Sequence, residues 1–274
     1  MAEYSSKAMT VAGGNGWGKE LNQLARPLCI FVDDDQTVYV SDHFNHRIVE
    51  WKSGSSNGRI VAGGNGQLNG PLKIILDKVT NSWMICDYFN KRVVRWSREH
   101  DTIGDIIVPN VACSSMMMGQ DGYLYVVEFE KQQVIRWNMS ENTGTVLISG
   151  DNLGYPLYIF VDQENSIYTS DRSNHRVMKW TSDGKEGIIV AGGRGNSRAQ
   201  LASPHGIFVD LAGTLYVADA GNHRIVRWPK GASEGSIVVG GDQLDHPCDL
   251  SFDRENNLYV LDYNHQRVQK FSIY

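Results

Sequence analysis

The sequence predicts an all-β fold, a six-bladed β-propeller with four antiparallel strands in each blade, and three observations support this prediction. First, a strand–turn–strand pattern recurs six times, at Val38–Trp51, Trp83–Trp96, Leu124–Trp137, Ile167–Trp180, Leu215–Trp228 and Leu258–Phe271. Second, the acidic residues that end the first strand of each copy lie 45, 41, 43, 48 and 43 residues apart. A period of this length with short strands is typical of propeller blades.

The third observation is that each repeat contains four short apolar runs, which we call strands a to d. Strand a follows a proline in five repeats, and Cys113 takes the proline position in the third. Strand b is the Tyr-Val run, strand c ends in an aromatic residue, and strand d resembles Val-Ala-Gly-Gly. Val, Ile, Tyr and Trp dominate these runs, which suits a pleated and largely buried surface.

The two ends of the chain together make up the sixth repeat. This repeat stops after strand c, and the missing strand d is found at the other end of the sequence, at Met9–Gly13. We therefore expect the N-terminal strand to close the last blade, with three strands from one end and one from the other (3+1 closure). Closure protects the edges of the ring, and the extent of the repeats predicts a single domain over residues 1–274.

Composition limits the class of protein. The sequence has no run of 18 apolar residues, so no membrane span is predicted, and its first residues do not resemble a signal peptide. The net charge of −5 gives no electrostatic signature of a nucleic-acid-binding protein. Cys29, Cys86, Cys113 and Cys248 form no CxxC pair and are interpreted as free, mostly buried thiols. We expect a soluble monomer, and the cysteine pattern slightly favours the cytoplasm.

The turns between strands b and c carry a family resemblance. Asn45-His46-Arg47, Asn174-His175-Arg176 and Asn222-His223-Arg224 resemble the NHL repeat, and Asn90-Lys91-Arg92 is a close variant. The resemblance covers residues 8 to 274 and implies a six-bladed propeller. Two turns depart from the pattern, so we expect them to differ in local structure; they are Lys131-Gln132-Gln133 and His265-Gln266-Arg267.

Comparing the six repeats with one another separates framework from site. A residue type that is present in nearly every blade is interpreted as framework, which applies to the repeated Asp, Asn, Arg and Trp. Asp219 is expected to accept hydrogen bonds from backbone amides, and Arg224 is expected to pair with a carboxylate. Residues that change from blade to blade are free to carry function.

Two variable rings are predicted on one face of the disc. Because the strands alternate in direction, the b–c turns and the d–a links share this face, which we call the loop face. One ring follows the acidic residue, and the other follows the strand a proline position at the mouth of the central channel. The candidate ligand-binding residues in these rings are His43, Phe44, Tyr88, Phe89, Phe129, Tyr158, Arg172, His205 and Tyr263.

Most of these candidates are aromatic, although the turn itself does not require aromatic residues, since Ala220-Gly221 occupies the same place in the fifth repeat. Aromatic side chains gathered on one face indicate a binding surface. The alternative is that each ring simply packs on the neighbouring turn.

An enzyme is one alternative. Similar propellers include the peptidyl-hydroxyglycine amidating lyases, in which three histidines just after the strand a proline bind zinc; only His205 matches that pattern here. Lactonase-type propellers surround a channel calcium with acidic and amide residues, whereas Asp249 is the one obvious inward acid of this sequence. The sequence therefore predicts no catalytic residue, metal site or cofactor.

Single-stranded RNA is the other alternative, because some NHL domains bind it. That mechanism needs a basic face with aromatic residues for stacking, and acidic residues dilute the basic ones here; they are Glu20, Glu130, Asp151 and Asp249. The preferred interpretation is a non-catalytic scaffold that binds a protein, peptide or small ligand on its loop face.

Overall fold

The fold is an all-β ring of six blades. A computed structural model of the chain describes Tyr4 and residues 7–99, 103–150 and 153–273. In these residues 24 strands form six four-stranded antiparallel sheets. The innermost strand of each sheet contacts that of the next, and β2 of the first blade contacts β22 of the sixth. The predicted six-bladed propeller is confirmed.

The strands follow the predicted order a, b, c, d in five blades. Blade one contains β2 (Pro27–Val32), β3 (Val38–Asp42), β4 (Arg47–Trp51) and β5 (Arg59–Gly63). Blade two contains β6 (Pro71–Asp77), β7 (Ser82–Asp87), β8 (Arg92–Ser97) and β9 (Ile103–Pro109). Blade three contains β10 (Cys113–Met118), β11 (Leu124–Glu128), β12 (Gln133–Asn138) and β13 (Thr143–Ser149).

The second half of the ring repeats this arrangement. Blade four contains β14 (Pro156–Val161), β15 (Ile167–Asp171), β16 (Arg176–Trp180) and β17 (Gly187–Gly192). Blade five contains β18 (Pro204–Val209), β19 (Leu215–Asp219), β20 (Arg224–Trp228) and β21 (Ser236–Gly240). Blade six contains β22 (Pro247–Phe252), β23 (Leu258–Asp262), β24 (Arg267–Phe271) and, from the other end of the chain, β1 (Met9–Gly13).

The N-terminal strand closes the ring as predicted. Strand β1 pairs antiparallel with β24, with Met9 opposite Lys270 and Gly13 opposite Arg267. The outer edge of β24 is thus covered, and all six blades have four strands.

The core lies between the faces of neighbouring blades. Between blades one and two, for example, Tyr39 and Ile48 pack with Trp83 and Trp96, and all four are buried. Because each cluster takes residues from two blades, no blade buries its own apolar surface alone.

Every strand a begins with a β-bulge. The pairing with strand b shifts register just after the proline position in each blade, for example between Pro156 and Tyr158 and between Pro247 and Asp249. A bulge re-aims the side chains beside it. The second variable ring lies at these bulges, and its side chains meet across the central channel.

The b–c turns of blades three and six, which we expect to differ in local structure, share one backbone feature with the other four. The residue at the His position of the turn has a left-handed backbone in all six blades, with φ between 50° and 57°; these residues are His46, Lys91, Gln132, His175, His223 and Gln266. The replacements in blades two, three and six change the side chain and keep this left-handed residue, although among the described b–c turns only those of blades one and five form a short 3-10 helix.

The expectation of free thiols is wrong for two of the four cysteines. Cys86 in β7 and Cys113 at the start of β10 form a disulfide, with their Cα atoms 5.2 Å apart. The ring brings them together because strand a of blade three passes strand b of blade two, which sequence spacing alone does not reveal. Cys29 and Cys248 are free and buried. No helix in the described ranges is long and apolar enough to cross a membrane.

Candidate functional site

The repeated Asp of each b–c turn holds a hydrogen-bond network. In blade five, Asp219 accepts hydrogen bonds from the Ala202 amide at 2.6 Å, the Asn222 side chain at 2.8 Å and Arg224 Nε at 2.7 Å. Arg224 also donates to the carbonyls of the preceding d–a link, including that of Gln200. The amide that Asp219 accepts belongs to this link rather than to the turn itself, so the network fixes the link against the turn.

The left-handed residue of the turn fixes the next link around the ring. His46 Nδ1 accepts the Gly70 amide at 2.9 Å, and His175 Nδ1 accepts the Ser203 amide at 2.9 Å. Between blades six and one, Gln266 Oε1 accepts the Arg26 amide at 2.8 Å. The amide oxygen of Gln266 thus takes the role of a His ring nitrogen, and the link is held from both sides.

Five aromatic rings form a continuous arc on the loop face across blades one to four. The ring centroids of successive pairs are 5.6, 5.2, 6.4 and 5.9 Å apart along His43, Phe89, Tyr88, Phe129 and Tyr155. These separations are typical of interacting aromatic pairs. Phe89 is 55% exposed and Tyr155 is 49% exposed, so the arc presents apolar surface to solvent. We call these five residues the aromatic arc.

A second aromatic group lies at the blade-one end of the face. The rings of Trp17 and Phe44 are 5.5 Å apart, and the Arg26 guanidinium lies 5.4 Å from the Phe44 centroid and 5.8 Å from that of Trp17. Trp17 and Phe44 are each 53% exposed. This geometry allows a cation–π interaction with both rings.

At its other end the aromatic arc runs into a cleft of about 380 Å³ between blades three, four and five. The cleft, as we use the term, is lined by Phe129, Tyr155, Arg172, Ser173, His175 and Ser203. Arg172 is exposed, and its guanidinium forms no ion pair with any described residue. The cleft therefore combines two aromatic walls with an uncompensated positive charge.

Two polar bridges cross the mouth of the central channel. The Tyr158 hydroxyl of blade four donates to the Leu28 carbonyl of blade one. Lys73 Nζ of blade two pairs with Asp249 Oδ2 of blade six at 3.2 Å and lies 5.5 Å from the Tyr158 ring centroid. Asp249 also accepts the amide of Ile30. The one inward acid of the sequence analysis thus has an ammonium group and a backbone amide as partners.

His205 is a buried and neutral histidine beside these bridges. It is 6% exposed, and its Nε2 has no hydrogen-bond partner among the described residues. Burial is the main cause that lowers the pKa of His205 to about 3, and the neighbouring His246 and Arg172 contribute in the same direction. The His205 ring lies 6.2 Å from the Tyr158 ring and 5.4 Å from the His246 ring.

The titratable groups at the channel mouth are held in their less reactive forms. Burial raises the pKa of the Cys29 thiol to about 12, and it also raises that of Cys248. Burial lowers the pKa of Lys73, but Asp249 and, after it, Cys29 together outweigh burial, so that the pKa is raised overall. A protonated thiol and a paired ammonium group are poor nucleophiles. Among the described residues no group of three or more His, Cys, Asp or Glu side chains is arranged to hold a metal ion.

The structure sorts the nine predicted site residues into four places. His43, Tyr88, Phe89 and Phe129 belong to the aromatic arc and Arg172 to the cleft, whereas Phe44 packs edge-on against Trp17. Tyr158 and His205 are buried at the channel mouth, and Tyr263 reaches them through His246, with ring centroids 5.8 Å apart.

Sequence analysis missed Trp17, Tyr155, His175 and His246, which complete these clusters. Trp17, Tyr155 and His246 lie in d–a links, where the repeats differ in length and offer no common position to compare. His175 was interpreted as part of the turn motif. Asp151, which had been counted among the acids of this face, lies outside the described residues.

Comparison with known sequences points to one repeat family. The family model of the NHL repeat matches residues 201–228 and 244–271, which span strands a to c of blades five and six. No curated protein matches the chain at a significant level.

Solved structures share the propeller at low sequence identity. An auxiliary nutrient binding protein from Bacteroides thetaiotaomicron VPI-5482 is similar with a TM-score of 0.78 and 15% identity, over 97% of this chain and 76% of that one. A streptogramin B lyase is similar with a TM-score of 0.67 and 12% identity, over 98% of both chains. A catalytically inactive virginiamycin B lyase from Staphylococcus aureus, determined with quinupristin, has a TM-score of 0.67 and 13% identity, over 98% of this chain and 88% of that one.

At these identities the similarity establishes the fold alone. The chain is a closed six-bladed β-propeller, and the family model identifies NHL repeats in its fifth and sixth blades.

Proposed function

We propose that the protein is a non-catalytic binding scaffold and that it takes a protein or peptide ligand along the aromatic arc of its loop face. The observation that carries the proposal is the continuity of the arc, in which five rings from four blades contact one another and end at an open cleft. Partly exposed aromatic side chains are the residues that most often anchor protein interfaces.

The framework does not explain the arc. In blade five, Ala220 and Gly221 occupy the turn positions that Tyr88 and Phe89 occupy in blade two, and both turns have a left-handed residue at the same place. The Asp–Asn–Arg network also forms in both blades, for example between Asp87 and Arg92 at 2.7 Å. Since the turn forms with or without aromatic residues, the aromatic residues are available for binding.

The chemistry of the channel also supports a scaffold. Lys73, Asp249 and Tyr158 are engaged with one another or with backbone groups, and the thiols of Cys29 and Cys248 have raised pKa values. This arrangement offers rigid cross-links between blades that are not neighbours in the ring rather than an activated nucleophile. The similar structures include both a binding protein and lyases, so the fold favours neither function.

The experiment compares single Tyr88→Ala and Phe129→Ala variants with the wild type for recovery of partners from a lysate of the source cells, and each variant is melted in parallel. Truncating an interface anchor typically costs about 2 kcal/mol, which is about 30-fold in Kd. We expect a loss of recovery with a nearly unchanged melting temperature.

The matched control is Leu211→Ala. Leu211 is 88% exposed in the a–b turn of blade five, on the opposite face of the disc. A large fall in the melting temperature of the arc variants would make these aromatic residues structural. Full partner recovery by both arc variants would refute binding along the arc.

A further inference from the structure

We infer that the cleft is a subsite for a carboxylate, so that the peptide ligand carries an Asp or Glu side chain next to an apolar residue. This inference rests on the proposed function and adds to it the chemical class of the ligand. The subsite is built from Arg172, which supplies the charge, and from Phe129 and Tyr155, which supply the apolar walls.

The positive charge of Arg172 is not neutralised within the described part of the chain. None of the six cleft residues is acidic. The nearest carboxylate in sequence, Asp171, is fully buried and accepts hydrogen bonds from Arg176 Nε at 3.1 Å and from the Asn174 side chain at 2.7 Å. A guanidinium group binds a carboxylate through two parallel hydrogen bonds, and here that geometry is open to a ligand.

The two histidines at the channel mouth respond to this charge. Burial is the main cause of the lowered pKa of His246, and the Arg172 guanidinium lowers it further. Arg172 acts in the same direction on His205. The other carboxylate at this place, Asp245, accepts a hydrogen bond from Asn264 at 2.9 Å and lies 2.9 Å from His223 Nδ1. The charge of Arg172 therefore reaches the channel mouth, where the Asp245 carboxylate acts on His246 in the opposite direction.

His175 adds a second donor to the cleft. Its Nδ1 accepts the Ser203 amide at 2.9 Å, so the neutral ring carries its proton on Nε2. Ser173, in contrast, is occupied within the fold, because its hydroxyl donates to Asp171 at 3.0 Å and accepts the Tyr155 amide. One cation with one neutral donor suits a single carboxylate.

A polyanion is less suited to this face. The next cation along the aromatic arc is Lys91, which pairs with Glu130 at 2.6 Å. Single-stranded nucleic acid would require a row of cations along its backbone in addition to stacking rings. The charge pattern of the described residues therefore favours an acidic peptide over RNA.

The experiment selects a display library of random linear dodecapeptides on the immobilised wild-type protein. We expect the recovered peptides to be enriched in Asp or Glu beside aromatic or aliphatic residues. A recovered peptide, labelled with a fluorophore, should bind about tenfold more weakly to an Arg172→Gln variant, and replacing its acidic residue by the amide should remove this difference. The matched control is Arg254→Gln, an exposed arginine in the a–b turn of blade six on the opposite face.

The outcomes separate this inference from the proposed function. If the peptides lose affinity for Phe129→Ala but bind Arg172→Gln as tightly as the wild type, the carboxylate subsite is refuted and the scaffold stands. If the wild type recovers no peptide, the carboxylate subsite is refuted, whereas the scaffold is judged separately by the partner recovery of the Tyr88→Ala and Phe129→Ala variants. If a random single-stranded RNA dodecamer binds in an Arg172-dependent way while the peptides do not, the inference is overturned in favour of nucleic acid.

Discussion

Replacing Asp219 by Ala should lower the free energy of unfolding of the propeller by more than the loss of one hydrogen bond would. The Asp219 carboxylate is fully buried and accepts three hydrogen bonds, from the Ala202 amide, the Asn222 side chain and Arg224 Nε. Its removal leaves the guanidinium of Arg224, whose side chain is 8% exposed, buried without its carboxylate. Breaking a buried ion pair from one side costs about 3–5 kcal/mol, which is a large part of the roughly 5–15 kcal/mol that stabilises a typical domain.

The assay is urea denaturation followed by tryptophan fluorescence and circular dichroism. A double variant, Asp219→Ala with Arg224→Met, should regain part of the loss, because it removes the isolated charge. Asp183→Ala is the control, since Asp183 forms its ion pair with Lys185 at the surface, and we expect a nearly unchanged midpoint. If Asp219→Ala unfolds at the wild-type urea concentration, the network does not hold the turn. A stable Asp219→Ala protein that no longer binds its partner would make Asp219 a site residue.

Three further predictions follow from the fold and the channel. Deleting residues 1–14 should uncover the edge of β24 and lower the melting temperature or cause self-association; a monomer in size-exclusion chromatography with unchanged melting would contradict closure. Lys73→Met should lower the urea midpoint, because it leaves the Asp249 carboxylate without its ammonium partner, and adding Asp249→Asn should recover part of this loss. An unchanged midpoint in Lys73→Met would show that the bridge is dispensable. The pKa of His205 is lowered to about 3 in the folded state, so below its ordinary value of 6.5 the unfolded state binds a proton that the folded state does not. The free energy of unfolding should therefore decrease as the pH is lowered below 6.5. At pH 5 the wild type should have lost about 2 kcal/mol more than a His205→Gln variant, and parallel curves of stability against pH for the two proteins would refute this cause.

The framework could be predicted from the sequence because its pattern recurs in six repeats. Four runs per repeat, the acidic residue at the end of strand b and the unpaired strand d at Met9–Gly13 were each visible without a structure, and the sheets confirm them. The turn motif could be recognised for the same reason, although the left-handed residue is common to all six turns while its side chain varies. Gln266 illustrates this, since it keeps the left-handed conformation and accepts the Arg26 amide in the place of a His.

Contacts between blades cannot be predicted from the sequence, because they depend on how far each blade is rotated against the next. The disulfide between Cys86 and Cys113 is one such contact. The distance that a side chain reaches into the channel is a second example. Tyr158 lies two residues after a proline, which predicts that it faces the channel, but this position does not predict that its hydroxyl reaches the Leu28 carbonyl of the opposite blade. The bulge at the start of each strand a, which sets this depth, has no sequence signal of its own here.

The same network that makes the blades alike also permits the loop face to differ around the ring. Asp42 and Asp219 bind equivalent partners, the Ala25 and Ala202 amides at 2.7 and 2.6 Å, although the residues that follow them are His-Phe in one blade and Ala-Gly in the other. The turn backbone is therefore fixed by groups outside the two variable positions, and changes there carry little cost in folding. Aromatic residues at such positions are not needed for the turn to form, whereas water makes their exposed apolar surface unfavourable. Their concentration in blades one to four, next to the charge of Arg172, is the observation that the proposed ligand would explain, since a ligand along the arc would cover this apolar surface.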